Sequence, residues 1–199
     1  MARLASLDVL LVRHAEAAPV EAETPTDDRP LSGAGSQAAA ELADELEPYT
    51  LTAVYSSPFR RAVDTVGPTA ARRGLEVQVI ADLRERLLLP ESNAEWRGIL
   101  ERAWADADFA PPGSETGRGA QRRAVAVLDL LRSRHPDGGR LLIGSHGNLI
   151  SLILQALEPA VDYAFHMAMP TPAIYHLNHD GIGWRVMGGY GFRQLADDS

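Results

Sequence analysis

The chain has 199 residues, 45% of them hydrophobic and 23% charged, enough for one compact α/β domain with a substantial core. It contains no cysteine, and all 19 basic residues are arginine, which excludes disulfides, thiolate chemistry, cysteine-ligated metals, a Schiff-base lysine and a P-loop lysine. A formal net charge of −8 argues against a nucleic-acid partner, which needs a broad basic face, but allows a small anionic substrate gripped by local arginines.

No apolar run reaches membrane-spanning length, and Arg13 interrupts the N-terminal apolar stretch without a cleavage-like continuation. The expectation is a cytoplasmic protein with no membrane partner. Nothing in the sequence signals an oligomeric state.

In chain order, Leu7 to Val12 is a short run apolar at every position but Asp8, as expected of a strand covered on both faces. A polar loop over 16–30 follows. Residues 31–49 read as a helix with Ser32 as N-cap, Ala38, Ala39, Leu42 and Leu46 on one face, and Pro48 as its stop. Residues 51–57 form a second strand. Ser57 and Pro58 then read as an N-cap and first-turn proline of a helix running to Gly74, kinked or split at Gly67 and Pro68. Residues 75–80 alternate as a third strand.

Residues 87–119 hold a helix-like stretch with Trp96 and Trp104, broken by "APPGSETGRG", and read as an excursion over one end of the sheet. Ala124, Val127, Leu128 and Leu131 mark one face of a helix over 120–134. "RLLIGSHG" is another buried strand, "NLISLILQAL" a largely buried helix, and residues 173–188 a hairpin turning at Asn178 to Gly181. The alternation predicts a three-layer α/β sandwich, with a mostly parallel central sheet, helices on both faces and an antiparallel edge. A single domain over 1–199 is expected, with 87–119 as a lid over the site.

Three predicted strands end in chemistry-bearing residues: Arg13 and His14 after the first, Ser57 with Arg60 and Arg61 after the second, Ser145 and His146 after "RLLIG". Ligands of open α/β sheets bind outside the carboxyl ends of strands. Guanidinium forks match phosphate oxygens, and a neutral imidazole can hold a phosphoryl group covalently. Phosphoryl transfer through a phosphohistidine then needs no metal or other cofactor, but it does need a carboxyl group to protonate the departing oxygen. Glu85 and Glu16 are both placed to supply it.

Taken together, "LLVRHAEA", "SSPFRRAVDTV", "LRER" and "GSHGNLIS" resemble, in order and spacing, the histidine phosphatase superfamily of phosphoglycerate-mutase-like proteins. The resemblance spans residues 7–152, and "PPGSE" is similar to a loop found in many members. It implies that His14 is the phosphorylated nucleophile, that Arg13, Arg61 and His146 bind the phosphate together with it, and that Glu85 is the proton donor. Alanine at position 15, where many members carry glycine, and the "RPLSGAGSQAA" that follows resemble the short phosphohistidine-phosphatase branch. Many members place asparagine where Val20 stands. The fuller nucleophile string of true mutases is missing, so the resemblance implies hydrolysis of phosphomonoesters or phosphohistidine. A mutase-like phosphotransferase and a non-catalytic phosphate-binding module are the alternatives.

The remaining candidates carry blander readings. Arg60 is a solvated helix-start residue, and His135 an exposed helix-end cation favoured by the dipole. His166, His176 and His179 carry no motif and receive no role. Trp96 and Trp104 are packing residues, and Ser57 is fully occupied as a cap.

Overall fold

The computed structural model describes residues 5–19, 26–89 and 95–192. Val20, which stands where many members of the resembled family place asparagine, lies outside the described residues.

The sheet has six strands: β1 (Leu7–Arg13), β2 (Ala53–Ser56), β3 (Val77–Val79), β4 (Gly139–Ser145), β5 (Ala173–His179) and β6 (Trp184–Gly189). They lie in the order β3-β2-β4-β1-β5-β6. The first four are mutually parallel, while β5 runs antiparallel to β1, and β6 to β5. This is the mostly parallel sheet with an antiparallel edge that the sequence predicts.

The helices are α1 (Gly33–Glu45), α2 (Arg60–Arg72), α3 (Trp96–Ala105), α4 (Gly117–Arg134), α5 (Gly147–Leu157) and α6 (Tyr163–Ala168). Along β1 the side chains alternate between two cores. Leu7, Val9 and Leu11 pack with Leu128, Leu131 and Ile150 from α4 and α5. Leu10 and Val12 pack with Leu42 of α1 and Val66 of α2. An apolar residue at nearly every position is what a strand with helices on both sides requires.

Ser32 caps α1 as expected, its Oγ accepting from the Gly35 N–H at 2.9 Å. Gly35 is required by close packing: a Cβ there would lie 2.0 Å from the carbonyl oxygen of Glu16.

Several boundaries differ from the sequence reading. Ser57 does not cap α2, which begins at Arg60 with Phe59 as its cap residue; its Oγ instead accepts from the Phe59 N–H at 3.0 Å while meeting His146 in the site described below. Gly67 and Pro68 do not split α2, which continues to Arg72. Val66, Thr69 and Ala70 are buried on both sides of the proline, and this packing outweighs the one hydrogen bond that Pro68 cannot donate. Helix α4 starts three residues early, at Gly117, because Thr116 caps it through the Gly119 N–H. The hairpin turns at Asp180 to Gly183, where Asp180 Oδ1 accepts from the Ile182 and Gly183 N–H groups. Helix α6, opened by Asp162 capping the Phe165 N–H, had no counterpart in the sequence reading.

Among the described residues no helix is long and apolar enough to cross a membrane.

Candidate active site

The parallel ladder extends one residue beyond the strands. The His14 N–H donates to Ser145 O and the Ser57 N–H to Gly144 O, both at 2.9 Å. This places His14, Ser57 and His146 side by side at the carboxyl ends of β1, β2 and β4. The His14 and His146 rings meet edge to face with centroids 5.2 Å apart. The convergence that the sequence reading depends on is therefore present.

Each side chain is oriented by a nameable partner. His14 Nδ1 lies 2.7 Å from Ala15 O, an acceptor only, so Nδ1 carries the proton and Nε2 the lone pair. Arg61 Nε donates to that Nε2 at 3.1 Å, and Arg61 Nη1 to Thr26 O at 2.7 Å. Thr65 Oγ1 donates to Arg61 O and accepts from the Ala15 N–H, which ties the first turn of α2 to the loop carrying His14. Arg13 Nη1 donates to Met169 O. Its guanidinium runs past Gly147, where a Cβ would come within 3.0 Å of Nε and 3.1 Å of Cζ; a glycine opening α5 is what lets it through.

His146 is fully buried, with Nε2 2.7 Å from Ser57 Oγ and the Phe59 ring against it. Ser57, read as a helix cap, instead orients the second histidine.

Glu85 follows the 3-10 turn at Ala81–Leu83. Ser145 Oγ donates to Leu83 O at 2.9 Å, and Arg123 donates to Asp82 O and Glu85 O. The carboxylate accepts from the Arg86 and Leu149 N–H groups at 2.9 Å and from the Asn148 N–H at 3.2 Å, at the amino end of α5, where a negative charge is favoured. Glu16 is exposed and accepts from Ser32 Oγ at 2.6 Å, so its carboxylate braces the α1 cap.

The electrostatics follow from burial among arginines. Desolvation, reinforced by Arg61, Arg13 and Arg29, lowers His14 to about 4, so the ring is neutral at physiological pH. Burial also lowers His146 well below the ordinary value and brings Arg61 down to about 10. Glu85 moves upward: desolvation, which favours the protonated acid, outweighs its hydrogen bonds.

A cavity of about 330 Å³ opens over this group, lined by Arg13, His14, Glu85 and Asn148 on one side and by Leu88, Trp96, Arg97 and Leu100 from the excursion on another. Arg61 and His146 do not line it, although both touch the His14 ring, Arg61 at Nε2. Arg60 is paired with Asp28 and Asp64 at the surface, as a solvated residue should be. His135 does stand at the end of α4, as its C-cap residue, but it is half-buried rather than exposed: its Nε2 is 2.9 Å from Tyr55 Oη, and burial lowers its pKa. His166, given no role from sequence, lines the cavity. Its only sequence signal would have been recognition of α6.

The model of the histidine phosphatase superfamily (branch 1) matches residues 9–188. The chain belongs to this superfamily. Among curated relatives, a bifunctional protein of Mycobacterium tuberculosis is 30% identical over 146 residues, covering 66% of this chain and 38% of that protein. Glucosyl-3-phosphoglycerate phosphatase of Mycolicibacterium vanbaalenii is 28% identical over 148 residues, 65% of this chain and 64% of that one. The chain thus spans less than two thirds of the length of these curated relatives. Phosphoglycerate mutase from Bacillus anthracis superposes with a TM-score of 0.78 at 17% identity, covering 92% of each chain, which shows the shared fold. A mycobacterial glucosyl-3-phosphoglycerate phosphatase in complex with VO3 superposes with a TM-score of 0.69 at 28% identity, over 93% of this chain and 97% of that one.

Proposed function

We propose that this histidine phosphatase hydrolyses small phosphomonoesters through a phosphohistidine on His14, without a metal ion. The observation that carries this reading is the tautomer of His14: Nδ1–H is bound to Ala15 O, leaving a neutral Nε2 lone pair beside the Arg61 guanidinium.

In the first step Nε2 forms a bond to phosphorus as the ester P–O bond breaks, and Glu85 gives its proton to the departing alkoxide. Arg13, Arg61 and His146 bear on the charge of the transferring group. In the second step water attacks phosphorus while Glu85 takes its proton, the P–N bond breaks, and the electron pair returns to Nε2. Raising Glu85 by burial suits it to begin as an acid and continue as a base. The excursion over 87–119 acts as a lid, its residues contacting the leaving group.

The test is rapid quenching during turnover of an aryl phosphate, with His14→Ala as the blank. Acid-labile, base-stable phosphate bound to the parental protein and missing from the variant supports the reading, as does activity that survives chelator. Tight phosphate binding with neither label nor turnover would instead support a non-catalytic binding module.

A further inference from the structure

The cavity has a wall that the steps above do not use. Helices α3 and α6 supply Trp96, Leu100, Tyr163, His166 and Met167 to it. Most of this wall is apolar or aromatic, so its few polar atoms decide what a leaving group must offer.

The hydrogen-bonding role of His166 is fixed by its neighbours. Ser151 Oγ donates its one proton to Gly147 O at 2.8 Å. The 3.2 Å contact between Ser151 Oγ and His166 Nδ1 therefore runs from the ring, with Nδ1–H as donor. With the proton on Nδ1, the lone pair of the neutral ring is on Nε2. Trp104 stacks on the ring at 5.3 Å between centroids and 22° between planes, holding it in this orientation. Burial and the nearby Arg13 lower the ring to about 4, so at neutral pH Nε2 remains an acceptor.

We infer that His166 is a specificity-determining residue whose Nε2 accepts a hydrogen bond from a hydroxyl group on the alcohol part of the substrate. This rests on the phosphatase reading of the same cavity. An ammonium group could donate equally well, but Arg13, Arg86 and Arg97 line the same space against the single carboxyl of Glu85, and like charges repel strongly away from bulk water. The substrate class is therefore phosphate esters of polyols or sugars. Trp96, 43% exposed on the cavity rim, offers a flat surface to the C–H face of such a molecule.

Glycerol 3-phosphate, propyl phosphate and phosphoethanolamine present a hydroxyl, no donor and an ammonium on similar chains. The parental kcat/KM should favour glycerol 3-phosphate over propyl phosphate by about tenfold, the scale of one net hydrogen bond. In His166→Phe this ratio should collapse toward one, and in His166→Gln, which keeps an acceptor, it should partly recover. Any loss of folded protein cancels, because both substrates report on the same molecules. A parental ratio near one, an unchanged ratio in His166→Phe, or a preference for phosphoethanolamine overturns the assignment. Calorimetric Kd values on His14→Ala, with and without His166→Phe, should show the same ranking. Absent turnover with the ranking intact sinks the phosphatase reading alone, whereas turnover without the ranking sinks the role of His166.

Discussion

Arg61 Nε donates to His14 Nε2 across 3.1 Å, so the lone pair assigned to attack phosphorus is the one this guanidinium holds. For the ring to react, Arg61 must pass its hydrogen bond to a phosphoryl oxygen, and the same group that quiets the nucleophile then stabilises the transferring charge. Arg61→Ala should lower kcat/KM for an aryl phosphate by about three to five powers of ten, the usual worth of an arginine on a transferring phosphoryl group. Circular dichroism should show the fold retained. The variant should also raise the His14 pKa above its value of about 4, since a lowering positive neighbour is gone; imidazole NMR reads this directly. Parental turnover in the variant would remove Arg61 from the machinery.

Glu85→Gln keeps the shape of the side chain and cannot give up a proton. Its effect should depend on the leaving group: a loss of about 10²- to 10⁴-fold for an alkyl phosphate, and a much smaller one in forming the phosphohistidine from 4-nitrophenyl phosphate, whose phenolate departs unaided. Pre-steady-state bursts on the two substrates separate these cases. Equal losses would mean that Glu85 only braces α5.

Gly147→Ala tests the passage of Arg13 over the start of α5. The added methyl would sit 3.0 Å from Arg13 Nε and push the guanidinium aside. A displacement on the ångström scale costs about a hundredfold in rate, while the melting temperature should hardly change, alanine being no worse than glycine in a helix. Full activity in this variant would show that Arg13 need not occupy the observed position.

Stability should depend on pH in a defined window. His14 and His166 both titrate near 4 in the folded chain against an ordinary value of 6.5. Between those values the unfolded state binds more protons, so stability falls as pH drops from 6.5 toward 4 and stops falling on their account below it. Buried His146 acts in the same direction. Glu85, raised above its unfolded value, opposes them with a single carboxyl group. Urea denaturation at pH 7 and pH 4.5 should show the loss, and His166→Gln should reduce its slope. A flat profile would contradict the burial of neutral imidazoles.

The layers and the convergence of the candidate site residues were legible because each is encoded locally. A run such as Leu7 to Val12 fits a strand buried on both faces, and residues just past parallel strands gather at one edge. His14, Arg61, Glu85 and His146 were found in this way. What escaped depended on partners distant in sequence. Ser57 followed by Pro58 has the composition of a helix cap, and only the approach of His146 across the sheet shows otherwise. His166 lies on a six-residue helix too short to display a hydrophobic period, and its role is set by Ser151 and Trp104 from other helices. Pro68 reads as a break by local rules, which packing against the sheet overrides.

Arg86 gives the excursion an asymmetry. Its buried guanidinium donates to the carbonyls of Ala103, Phe109 and Glu115 at 3.3, 3.2 and 3.0 Å, stapling the rear of the excursion to the body through a charge that cannot be stranded without a large desolvation penalty. Opening by a hinge at that end would strip all three carbonyls from one cation. An opening that instead began at the Trp96 side would leave all three of these hydrogen bonds in place, a door whose hinge post is already nailed down.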